Sequence, residues 1–211
     1  MMHFVLIGQK SRDQLYIMRS AGMFSSVETM ATETFDDLMR FGQTSRSIFT
    51  PTASSLIVEV EGFQMKKDFF VKELAFVNPI TQHYWVGTFE PPHGRQYMKK
   101  KYQQDMDWTT IHLHGLTWED GRYPYSVAFY MLHHFGANHQ LFAKGKQKCH
   151  WIKQHTGLSV LDLEDIGCPA AKDLPFGSVC EYHDSRQKAC ALDKATRLGT
   201  YLVDMFAMKN L

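Results

Sequence analysis

Cys180, His183 and Cys190 stand in a Cys-x2-His-x6-Cys spacing that runs into an amphipathic segment ending near Met208. A Cys and a His three residues apart can chelate one ion from a single turn, and a Cys at the start of a helix can close on it. A closed tetrahedral site takes four ligands, so one must come from elsewhere in the chain. A second pattern is electrostatic. Lys144, Lys146, Lys148, His150 and Lys153 cluster, and Lys99, Lys100 and Lys101 form another run with Trp108 and Trp118 near in sequence. Ammonium groups interleaved with aromatic rings suit the backbone and bases of a single strand, although charge runs also form plain solvated faces. Glu59 and Glu61 make a third pattern: they share one face of a β-rich run and read either as solvated or as the remnant of a cation site.

These residues need a scaffold, and 211 residues with 44% hydrophobic and 13% aromatic content suffice for one full core. Lys and Arg number 23 against 22 Asp and Glu, so any case for nucleic acid rests on local patches rather than net charge. Four Cys beside 11 His favour ligation over a disulfide framework, and hence a reducing compartment. No apolar run approaches the ~18 residues of a membrane span, and no signal-peptide pattern opens the chain; the expectation is an intracellular protein of cytoplasm or nucleus with no membrane partner.

Residues 1–55 read as an N-terminal extension and linker, with short helices expected at Ser11–Met18 and Glu33–Phe41; the domain proper spans 56–211. Leu56–Phe63, stopped by Gly62, and Phe69–Val77 form a β-hairpin, and His83–Phe89 is a third strand. A basic segment then leads to His112-Leu113-His114-Gly115. Next come a helix at Tyr125–His134, a strand at Gln140–Ala143, a basic amphipathic turn from Lys146 to His155 and a strand at Leu158–Asp162. A helix from about Asp165, the Cys/His loop and a final helix from about Lys188 to Met208 follow. A three-strand meander followed by alternating helix and strand describes an α/β layer with a mixed sheet flanked by helices.

That order resembles the RNase H-like fold of DEDD-type exonucleases. Ile111-His112-Leu113-His114-Gly115-Leu116-Thr117 is similar to the His-Gly-Ile-Thr string of those enzymes, and Ala191-Leu192-Asp193-Lys194-Ala195 to the stretch carrying their last catalytic Asp. Their chemistry uses four carboxylates to hold two divalent cations. The first two would be Glu59 and Glu61. The third should fall in Lys144–Cys149, which holds no acid, the fourth falls on Lys194, and the expected general-base His is Ala189.

Over roughly residues 56–206 the chain resembles the Maelstrom domain, a divergent RNase H-like domain of small-RNA silencing that carries a Glu-Cys-His-Cys zinc set. The matching pieces are Lys72-Glu73-Leu74-Ala75, Phe142-Ala143-Lys144-Gly145 followed by His150-Trp151-Ile152-Lys153-Gln154-His155, Leu163-Glu164-Asp165-Ile166, and Cys180-x2-His183-x6-Cys190-Ala191-Leu192. Carried over by position, Glu73, Cys180, His183 and Cys190 become ligands of a structural zinc ion. The departures are a shorter Cys-to-Cys loop and no recognisable high-mobility-group box. The bland reading of Glu73 is a solvated edge-strand residue; if its face is buried among Val71 and Ala75, it needs a partner.

The function expected is a zinc-stabilised, exonuclease-derived module binding single-stranded nucleic acid, RNA before DNA, through Lys144, Lys146, Lys148 and Lys153 and through Lys99, Lys100 and Lys101. Its rivals are a divergent metal-linked ribonuclease and a protein-binding scaffold of a silencing pathway.

Overall fold

The computed structural model describes residues 51–178, 180–183 and 189–208; the helices expected at Ser11–Met18 and Glu33–Phe41 lie outside these. Strands β1 (Ser55–Met65), β2 (Asp68–Val77), β3 (Tyr84–Thr88), β4 (Gln140–Ala143) and β5 (Val160–Asp162) form one mixed sheet of order β3-β2-β1-β4-β5. β1 pairs antiparallel with β2, and β2 with β3, while β4 joins β1 and β5 joins β4 in parallel. Helices α1 (Lys100–Thr109), α2 (Tyr125–Gly136), α3 (Lys146–Thr156) and α4 (Ala191–Met208) flank it. The fold is therefore α/β.

Strand alternation sorts the hairpin into two faces. Ile57, Ala75 and Val77 pack with Leu192, Ala195, Leu198, Leu202 and Met205 of α4, whose apolar positions recur every three or four residues. Phe76 points the other way and meets Phe135 of α2 at 4.5 Å between ring centroids. Glu59, Glu61 and Glu73 share the α4 face, because Glu61 and Glu73 are register partners across the two strands. Gly62 does not stop β1. The register shifts between Glu61 and Gly62 and the strand continues to Met65. A Cβ at Gly62 would collide with the Phe70 carbonyl, so the glycine permits a bulge rather than a turn.

The basic turn at Lys146 is a full helix ended by Gly157 at φ 73. The helix expected from Asp165 is instead one 3₁₀ turn, Leu163–Ile166, because Gly167 takes φ 83 and Pro169 comes two residues later. The segment leading to His112 is α1 itself, continued by a π turn at Thr110–His114 that ends at Gly115 with φ 78. Its core-facing apolar residues are Tyr102 and Met106, which pack on Phe63, Met65 and Trp118. Among the described residues, no helix is long and apolar enough to cross a membrane.

Candidate metal centre and the neighbouring charge cluster

β2 lies inside the sheet, so Glu73 is a fully buried side chain rather than an edge residue. α4 delivers the groups around it. The Ala191 backbone N–H, at the first turn of α4, donates to Glu73 Oε2 at 2.9 Å, and the positive end of the helix dipole faces the carboxylate. Cys190 immediately precedes the helix, and Cys180 and His183 come from the preceding loop. That loop is tied at the surface by Arg122, which donates to Tyr182 Oη at 3.2 Å and pairs with Glu181 at 3.4 Å.

His183 Nε2 lies 3.0 Å from Glu73 Oε2, Cys180 Sγ 3.2 Å and Cys190 Sγ 3.8 Å from Oε1, and the two sulfurs 3.6 Å apart. One ligand atom from each residue fits within 4.8 Å of every other, and all four residues are buried. A tetrahedron built on bonds of about 2.0–2.3 Å has edges of roughly 3.8 Å between sulfurs and about 3.3–3.5 Å between oxygen and nitrogen or sulfur. The cluster is already near that size. The four residues are therefore compatible with a metal ion in geometry, burial and donor type.

The protonation of the group follows from its crowding. The hydrogen bond between the sulfurs pulls Cys190 down to about 7 and pushes Cys180 well up. Burial disfavours the His183 imidazolium, but the hydrogen bond and charge of Glu73 outweigh it and raise the His above its ordinary value. A metal bound here would displace the protons of the thiols and the imidazole.

Beside this cluster, Glu59 and Glu61 face lysines. Lys148 of α3 bonds the Glu59 carboxylate and lies 3.6 Å from Glu61, and Lys194 of α4 lies 2.5 Å from Glu61. Burial pushes Glu59 up, against the pull of Lys148; burial opposes the Lys148 charge, and the two carboxylates outweigh it and raise it. We assign the pair as ionised at neutral pH, since two carboxylates face the Lys148 ammonium and Lys194 adds a second cation. The face at Glu59 and Glu61, which the sequence offered as either a solvated face or a cation-site remnant, is thus met by protein cations. Asp162 and Asp193 do not join it: the first accepts from the Gly145 and Glu164 N–H groups, the second pairs with Arg197 and accepts from Gly177 N–H.

The remaining sequence candidates scatter. Lys144 pairs with Glu164 at 3.2 Å and donates to the Cys168 carbonyl at 2.9 Å, so it, like Lys148, is engaged internally. Lys146, Lys153, Lys99, Lys100 and Lys101 are exposed. Trp118 offers no stacking surface: it is buried and its Nε1–H donates to the His93 carbonyl at 2.9 Å. Tyr123 packs on Trp85 and Phe89. Cys168 is a core residue, and burial pushes the Cys149 thiol up to about 12 while His150 stays exposed.

Sequence reasoning missed Lys72. It is 1% exposed, on the sheet face opposite Glu73, and its ammonium donates to the carbonyls of Phe89 (2.6 Å), Trp118 (2.7 Å) and Asp120. Burial lowers it to about 8. A lone Lys in strand alternation between apolar neighbours was the available signal. Neither a scan against protein-family models nor a search of curated proteins finds a match for this chain.

Proposed function

We propose that this chain is an RNase H-like domain of the Maelstrom type, stabilised by zinc, that binds single-stranded nucleic acid, RNA before DNA, without two-metal cleavage. The observation that carries this reading is the contact of Lys148 and Lys194 with Glu59 and Glu61. In a two-metal exonuclease the corresponding carboxylates hold cations; here ammonium groups neutralise them. The strand order, with an antiparallel β1–β2–β3 meander and parallel β4 and β5, is the one an RNase H-like domain requires.

Zinc is favoured because two thiolates and an imidazole are soft or borderline donors that magnesium and calcium do not select. Glu73, Cys180, His183 and Cys190 would fill all four positions from the protein. A closed, buried set is the structural type, whereas a catalytic zinc keeps a position for water. This argues against the rival nuclease centred on that region. The resemblance assigns the domain to small-RNA silencing inside the cell.

A labelled single-stranded oligouridylate titrated with the domain tests the reading. Binding should weaken steeply with salt, and magnesium should release no mononucleotides. Magnesium-dependent release abolished by Glu59→Gln would refute the non-catalytic assignment. Absence of binding at ~50 mM salt, where phosphate contacts are strong, would leave the scaffold.

A further inference from the structure

The two lysine runs are far apart in sequence, and the β1–β2 turn stands between them in the fold. Lys66 Nζ lies 6.0 Å from the centre of the Tyr102 ring, in the first turn of α1 beside Lys99–Lys101. On its other side, Gln147 in the first turn of α3 donates to Gln64 Oε1 at 2.8 Å, next to Lys146. Gln64 in turn donates to the Lys66 and Asp68 carbonyls at 2.9 and 3.2 Å, fixing the turn. Lys66, Lys67, Lys99, Lys100, Lys101 and Lys146 are all exposed, and among the described residues none of them forms an ion pair. Asp68 and Asp105 flank them, while Asp107 is neutralised by Arg95 at 2.6 Å.

Aromatic surface adjoins this charge. α1 turns Tyr102 and Met106 toward the core, so its other side faces solvent. Lys101 and Trp108, seven residues apart, share that side. Trp108 is 56% exposed, with the His112 ring 4.9 Å away across the π turn, and Tyr97 is 79% exposed just before the helix. Exposed rings beside ammonium groups match a polyanion carrying stackable bases better than an acidic peptide.

We infer that the β1–β2 turn joins the lysine runs into one track for a single strand, in which Lys66 and Lys67 bind phosphates and Trp108, with His112, stacks a base. This rests on the reading that the domain binds single strands; it names the surface, and it assigns a role to a turn that neither lysine run contains.

The test is fluorescence anisotropy with an end-labelled oligouridylate, comparing the parent with Lys66→Asn/Lys67→Gln across a salt series. Asn suits position 66 because Lys66 sits at φ 51, a left-handed conformation that Asn tolerates. The variant should bind more weakly, and its logarithmic salt slope should be shallower by about 1.4, two contacts at about 0.7 each. Trp108→Ala should weaken binding with the slope unchanged. An unchanged thermal midpoint establishes that the double variant is folded, and Lys67→Gln alone, with half the slope change, replaces it otherwise. If the parent binds and the variants match it in affinity and slope, this inference is overturned while the broader reading stands. If the parent binds no oligonucleotide, both fall; if it then binds polyglutamate, the track belongs to an acidic protein.

Discussion

Two carboxylates lie opposite each other on neighbouring strands and meet different fates. Glu61, with Glu59 beside it, is neutralised by the ammonium groups of Lys148 and Lys194. Glu73 is the more deeply buried and, among the described residues, has no lysine or arginine in contact; its partners there are an imidazole, two sulfurs and a backbone N–H. A buried charge requires an opposite charge or a full set of hydrogen bonds. The first region supplies its cations from its own side chains. The second collects an imidazole and two sulfurs, groups that could bind a metal ion once deprotonated, beside one backbone N–H. The difference shows how one sheet face can neutralise one pair of carboxylates with protein ammonium groups and surround another carboxylate with residues able to hold a metal ion.

The largest effect should come from the second region. Cys180→Ser or His183→Ala should remove the bound metal and lower folding stability by several kcal/mol, because binding to a site absent from the unfolded chain is folding energy. α4 should become sensitive to proteolysis first, since Cys190 and the Glu73 contact anchor its start. Chemical denaturation with metal analysis checks both.

The first region should respond strongly but differently. Lys148→Met leaves Glu59 buried without its ammonium and should cost about 3–5 kcal/mol, whereas Glu59→Gln together with Lys148→Met should recover most of that loss. A double-mutant cycle measures the recovery. If the double variant is as unstable as the single, the lysine packs rather than pairs. Lys194→Ala should cost about 1 kcal/mol, because Glu61 is partly exposed and keeps Lys148 nearby.

An effect that shows only when pH is varied concerns the opposite face. Lys72 falls to about 8 in the folded chain and has its ordinary value of 10.5 when unfolded. Between those values the unfolded chain binds more protons, so stability should rise with pH there, by up to about 1.4 kcal/mol per pH unit. Below about pH 8 the cost of burying the ammonium is present in full. Lys72→Met should remove this slope, and unfolding midpoints from pH 7 to 10.5 in both proteins would show it.

The hairpin, the third strand and α2 were legible because their apolar residues follow one period each. Three of the four cluster residues were legible as types and spacing, and Glu73 could be joined to them only through the resemblance, since no local pattern links β2 to a loop so far along the chain. Opaque were features settled by tertiary packing. α1 carries too few apolar residues to show its period, Gly62 reads as a stop unless its partner strand is known, and Trp118 looks like a loop ring until its core contacts appear. The lysines were the sharpest case. As a run they suggest a surface, yet Lys144 and Lys148 turn inward to carboxylates that only the fold brings near.

The most direct test of the central claim is the metal content of the purified domain, read by native mass spectrometry beside denatured mass and thermal unfolding with a strong chelator. The account predicts one zinc ion per chain, absent from Cys180→Ser/Cys190→Ser, and a marked fall in the unfolding midpoint once the metal is stripped. A metal-free domain, refractory to zinc and unfolding at the same temperature with or without chelator, would contradict it.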